Sequence, residues 1–153
     1  MNKSVLVNQL ISTLEAKLQA TEDAMLAAHA AATDEQSVPE TQYDTLGLEA
    51  SYLALGQSKR LADLKGKLMG LRNFSPRNFT DDDEISAGAL ITFAQLDVKY
   101  FLCPFSSGEV LQDGGVIAIS PDSPIGSEIQ GLVAGDELKF PNQLNPREIT
   151  KVE

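Results

Sequence analysis

Two apolar seams constrain the first half of this chain more than anything else in it. Val7, Ile11, Leu14, Leu18, Thr21, Met25, Ala28 and Ala32 recur at alternating steps of four and three, and only Thr21 interrupts the apolar run. Leu46, Ala50, Leu53, Gln57, Leu61, Leu64, Leu68 and Leu71 nearly repeat the pattern further on. This spacing keeps one stripe of a helix turned toward a partner helix. It predicts two long helices, over about 4–33 and about 39–71, folded back on each other as an antiparallel coiled-coil hairpin. At 1.5 Å per residue, helices of this size run to roughly 40 Å. Ser4 is the expected N-cap of the first helix. The seams build a rod and need bind nothing else.

The bend falls in 33–41. Pro39 cannot sit inside a helix without losing a hydrogen bond, and it biases Val38 toward an extended backbone. It suits the first turn of a new helix, and Ser37 three residues before Glu40 matches a capping box. Ala27, Ala28, Ala30, Ala31 and Ala32 favour helix just before the bend. Gly47, Gly56 and Gly66 each cost the second helix up to ~1 kcal/mol, which packing against the first must offset.

Residues 73–83 read as a linker, broken by Pro76, Asn78 and the acids Asp81, Asp82 and Asp83. With Glu84 these acids form a run, but not the alternating ligands and closing glutamate of a calcium loop. Beyond it the apolar period shortens to that of strands at 89–94, 98–104, 115–119, 137–140 and 148–152, with turn residues between them. One short helix over about 124–132 interrupts. The expectation is a small antiparallel sheet backed by one helix, an α+β domain. The domain boundaries read as 1–75 for the hairpin, with its tip near 33–42, and 80–153 for the sheet.

The joint between strand and short helix is the most specific local signal. Ser123-Pro124 supplies a cap and a proline at the first helical position, and Asp122 adds negative charge at that end. Ile125, Ile129 and Leu132 fall on one face, able to cover the sheet. Gly131 and Gly135 permit the return, and Asp136 closes the turn.

The ordered set Ile119-Ser120, Ser123-Pro124-Ile125-Gly126 and Gly135-Asp136-Glu137 resembles the C-terminal domain of the GreA/GreB transcription elongation factors. The order of parts, hairpin then small sheet, resembles that family too. The resemblance implies an FKBP-like fold for the sheet domain and docking at the secondary channel of bacterial RNA polymerase. Ser120, Asp122, Ser123, Pro124, Ile125 and Gly126 are the implied partner-binding residues. It further implies a hairpin that enters the channel and carries, at its tip, an aspartate and a glutamate that help hold a catalytic magnesium. Magnesium prefers hard oxygen ligands, and there it activates the water that cleaves a backtracked transcript.

Here the chain departs from the family. Aligned on Tyr43, Gln36 stands at the aspartate position and Pro39 at the glutamate position. A shift of one brings Glu40 into place but puts Ser37 where the aspartate belongs. Asp34, Glu35, Glu40 and Asp44 remain near the bend as the metal candidates. The expectation is a protein with no catalytic residues of its own and no stably bound cofactor, with Mg2+ held only jointly with the polymerase.

Composition narrows the field. A net charge of −10 over 153 residues argues against independent DNA binding, which needs a basic face. The bases cluster instead at Lys59, Arg60, Lys65, Lys67, Arg72 and Arg77, read as a solvated helix face or a patch for an acidic partner. No apolar run approaches the ~18–20 residues that span a bilayer, and Met1-Asn2-Lys3-Ser4 opens no signal-peptide pattern. A cytoplasmic monomer is expected. Cys103 is the single cysteine and His29 the single histidine, a poor basis for a zinc site or a Ser-His-Asp triad. Cys103 reads as buried and inert, His29 as exposed, and Phe93, Tyr100, Phe101 and Phe105 as sheet core. Two alternative functions stay open: a non-catalytic coiled-coil adaptor and an FKBP-like peptidyl-prolyl isomerase.

Overall fold

The structure, a computed structural model, describes residues 1–33 and 46–153. It is a helical hairpin followed by a helix-backed sheet. Helix α1 spans Lys3–Thr33 and α2 spans Leu46–Arg72. Strands β1 (Leu90–Phe93), β2 (Lys99–Leu102), β3 (Val110–Leu111) and β4 (Val116–Ile119) follow, then α3 (Pro124–Ile129), β5 (Glu137–Leu138) and β6 (Arg147–Val152). The chain divides into two compact units, Ser12–Met69 and a second made of Met1–Ile11 with Gly70–Glu153.

In the helical unit the first seam is visible in the burial. Leu14, Thr21 and Ala28 are buried, with Leu18 and Met25 half-buried between them. The Thr21 hydroxyl donates to the Lys17 carbonyl at 2.8 Å, so the one polar seam position is satisfied within its own helix. On α2, Leu64 and Leu68 are buried and Leu61 is half-buried. Leu53 departs from the expected seam and is 56% exposed. Toward the bend α1 offers short alanine side chains, which cover little of a leucine. The helix starts one residue before Ser4, and its cap is Asn2, whose side-chain oxygen accepts from the Ser4 N–H at 3.0 Å.

In the other unit the strand order is β3-β4-β2-β1-β6-β5. The expected antiparallel sheet is mixed by one parallel pairing, β2 with β4, in register from Lys99 opposite Val116 to Leu102 opposite Ile119. The chain from β2 to β4 passes through edge strand β3 and the tight turn Gln112–Gly114, which returns it in the same direction as β2. One core gathers Ile91, Phe93, Leu102, Ile119, Ile149 and Val152 with Ile129 of α3. Phe93 is edge-on to both Tyr100 and Phe140, with ring centroids 5.6 and 5.0 Å away. Such pairs add about 0.5–1.5 kcal/mol beyond their buried area.

The helix ends are tied into this unit. Lys3 is buried, and its ammonium donates to the carbonyls of Arg77, Gly88 and Glu153 and lies 4.8 Å from the Phe79 ring centroid. Burial lowers its pKa, the Arg77 charge lowers it further, and Glu153 acts in the opposite sense. The Gln9 side chain accepts from both the backbone and the side chain of Gln112. Phe105 was expected in the sheet core but is 38% exposed. Its ring lies over Gly70, where a β-carbon would come within 2.5 Å of it.

Candidate docking site

The Ser-Pro turn is built almost entirely from internal bonds. β4 ends at Ile119, and the next four residues reverse the chain into α3. The Ser123 hydroxyl accepts from the Gly126 N–H at 3.0 Å and donates to the Ser120 carbonyl at 2.7 Å. Ser123 is therefore the helix cap that its sequence position predicts, with Pro124 in the first turn. Ser120 offers its own hydroxyl to the Asp122 N–H at 3.2 Å. A β-carbon on Gly126 would lie 1.9 Å from the Ser120 carbonyl oxygen, so only glycine fits. The Gln130 amide then straps the turn, donating to the carbonyls of Pro121 and Gly126.

The exit is fixed in the same way. α3 stops at Ile129, three residues sooner than expected, because Gln130 turns extended and Gly131 follows at φ 83°. The Gly131 N–H donates to the Ile85 carbonyl at 2.9 Å, which binds the helix end to the strand-side loop. Asp136 accepts from the Val133 N–H at 2.9 Å and shapes the return into β5.

This accounting separates the six candidate partner-binding residues. Gly126 is buried, and Ser120, Ser123 and Ile125 are half-buried. Asp122 and Pro124 stand exposed. Pro124 borders a cleft of about 360 Å³ whose lining sets Ile125, Phe140 and Pro141 beside Glu128, Lys139, Asn142 and Gln143. The surface thus offers a free-standing carboxylate near a cleft of mixed polar and apolar lining. A partner that sets a basic side chain against Asp122 and a side chain with both apolar and hydrogen-bonding groups in the cleft matches it in charge and in polarity.

The other candidates fall elsewhere. Asp34, Glu35, Glu40, Asp44, Tyr43 and the Ser37–Glu40 capping box lie outside the described residues. Among the described residues no three His, Cys, Asp or Glu side chains are placed to hold a metal ion. Two acids of the linker run are structural: Asp81 accepts from the Val152 N–H, and Asp83 accepts from the Thr80 N–H and hydroxyl, which hold its carboxyl below the usual range. Cys103 is buried, and burial, with the nearby Glu109 charge, pushes its thiol up to about 12, which removes it as a nucleophile. His29 is exposed. Among the described residues no helix is long and apolar enough to cross a membrane.

No family model and no curated protein matches the sequence. Among solved structures the chain is similar to the crystal structure of GreA factor homolog 1 (Gfh1) of Thermus thermophilus, at 16% identity over 94% of both chains and a TM-score of 0.37. At that identity and score the likeness fixes neither family nor function.

Proposed function

We propose that the chain is a bacterial RNA polymerase-binding factor of the GreA/GreB type. In this reading the sheet domain grips the rim of the secondary channel through the Ser-Pro turn, and the hairpin occupies the channel. The factor modulates elongation or transcript cleavage in the cytoplasm and is not an enzyme on its own. Magnesium would join the hairpin tip only together with the polymerase. The observation that carries the reading is the division of labour in the turn. Ser123 and Gly126 are consumed in holding its shape, and Asp122 and Pro124 are presented outward, Pro124 at the edge of a cleft of mixed polarity.

The isomerase alternative gains nothing from the aromatic residues. Phe93 and Phe140 are 1% and 5% exposed and pack on each other and on Tyr100, so they form core and not an aromatic-lined pocket.

The test is a pull-down of core polymerase with full-length chain carrying Asp122→Ala and Pro124→Ala together. Both side chains are exposed, so the fold is retained, and association falls by about tenfold or more if they are anchors. Unchanged association would remove the docking assignment.

A further inference from the structure

The Ser-Pro turn has one joint that its prolines leave loose. The Ser123 N–H donates to the Ser120 carbonyl at 3.1 Å, so 120–123 form a β-turn with Pro121 and Asp122 as its central pair. Pro121 and Pro124 fix their own φ and bias Ser120 and Ser123 toward extended backbone, as seen at Ser123 with φ −69° and ψ 158°. The peptide between Pro121 and Asp122 is under no such restraint. Proline at the second place suits both the type I and the type II turn, and the two differ by a flip of that peptide. Asp122 has a negative φ, which excludes type II. The flip would carry Asp122 into the left-handed region, which aspartate visits more readily than most residues. It would also re-aim the Asp122 carboxylate.

Two side chains grip that peptide, one at each end. The Gln130 amide donates to the Pro121 carbonyl at 3.1 Å, and the Asp122 N–H donates to the Ser120 hydroxyl at 3.2 Å. Carbonyl and N–H belong to one peptide plane, so a flip breaks both bonds together. The rest of the motif is held by other means. Ser123 caps the start of α3, and the Gly131 N–H ties its end to the Ile85 carbonyl. Gln130 itself is exposed. Its second bond, to the Gly126 carbonyl at 3.2 Å, serves the last turn of α3. The bond to Pro121 reaches nine residues back and serves the β-turn alone.

We propose that Gln130 is a positioning residue for Asp122: it locks the central peptide of the turn, so that the carboxylate is aimed before the partner arrives. This rests on the reading of the turn as the surface that docks on polymerase. A surface fixed in advance loses less conformational freedom on binding than one the partner must order. Gln130 need not touch the polymerase to matter, because its contribution passes through Asp122.

The measurement is a titration of core RNA polymerase with the full-length chain, with Gln130→Met, with Asp122→Ala and with the two combined. Gln130→Met keeps the length of the side chain and removes its donors. It should weaken association by about three- to tenfold. In the Asp122→Ala background the same substitution should cost nothing further, because the group it aims is gone. Nuclear magnetic resonance of the free chain reads the turn directly. Solvent exchange of the Asp122 amide should quicken in Gln130→Met, while the Gly131 amide, bonded to Ile85, exchanges as in the natural chain. Equal losses of association in both backgrounds would make Gln130 a direct contact or a general support of the domain. Unchanged exchange at Asp122 would show that the peptide is held without it. Either result overturns this inference and leaves the docking reading standing. Undiminished association of Asp122→Ala alone would instead remove the docking reading, and this inference with it.

Discussion

The two units of this protein spend their residues differently. In the sheet unit Phe93, Phe101, Ile85, Leu90 and Ile129 are almost wholly buried, and turns are closed by named side chains and obligatory glycines. In the helical unit, Leu14, Ala28, Leu64 and Leu68 are the buried apolar side chains among the described residues, and several leucines are exposed. A sheet of short strands has to be assembled from distant segments, so its tolerance for change is small. A pair of helices closes its backbone hydrogen bonds locally and needs one seam from its tertiary partner. The first unit is therefore suited to presenting a fixed surface.

The contrast can be broken by mutation. Phe93→Ala should cost about 4 kcal/mol by leaving a cavity beneath Tyr100 and Phe140, against about 2 kcal/mol for Leu64→Ala in the thinner helical seam. Equal losses in urea unfolding would show that the two units are equally well packed. Gly126→Ala comes next, at about 3 kcal/mol, because its methyl group meets a backbone carbonyl that cannot yield cheaply. Gly56→Ala, where a β-carbon meets nothing within 4 Å, should stabilise the helix by up to about 1 kcal/mol. A stabilised Gly126→Ala would contradict the turn geometry outright. Ser123→Ala should cost about 1 kcal/mol, the usual worth of a helix cap.

A smaller effect depends on pH. Burial acts to raise the Glu153 carboxyl. Hydrogen bonds from Lys151 and Lys99, the Lys99 charge and the N-terminal ammonium outweigh it and hold the group at about 2. A carboxyl depressed in the folded state contributes stability above its unfolded value near 4.5, and the contribution fades as pH falls toward 2. The stability difference between the natural chain and Glu153→Gln should therefore be constant from pH 7 to about 5 and shrink below that. A difference that grew on acidification would reverse the assignment.

Much of this architecture was legible in the residues, for reasons that differ by region. The α1 seam could be read because each heptad position repeats the same choice, so Thr21 stood out as a single exception. The cap at Ser123 was legible because Ser-Pro followed by glycine leaves the backbone few conformations. Two features were not. Edge strand β3 has two residues, too short for any period to register. Phe105 looks like core by type, but its ring is taken by Gly70, a partner far away in sequence. At the candidate site, sequence could name six residues but not sort them, because the hydrogen bonds that consume Ser123 and the clash that fixes Gly126 exist only once the turn has closed.

The central claim is that the Ser-Pro turn is the surface that meets the polymerase. Hydrogen exchange of the full-length chain, with and without core RNA polymerase, tests it most directly. Protection gained at 120–128 and 139–143, around Asp122, Pro124 and the adjoining cleft, is the predicted result. Protection confined to other segments, with these amides exchanging as in the free protein, would contradict it.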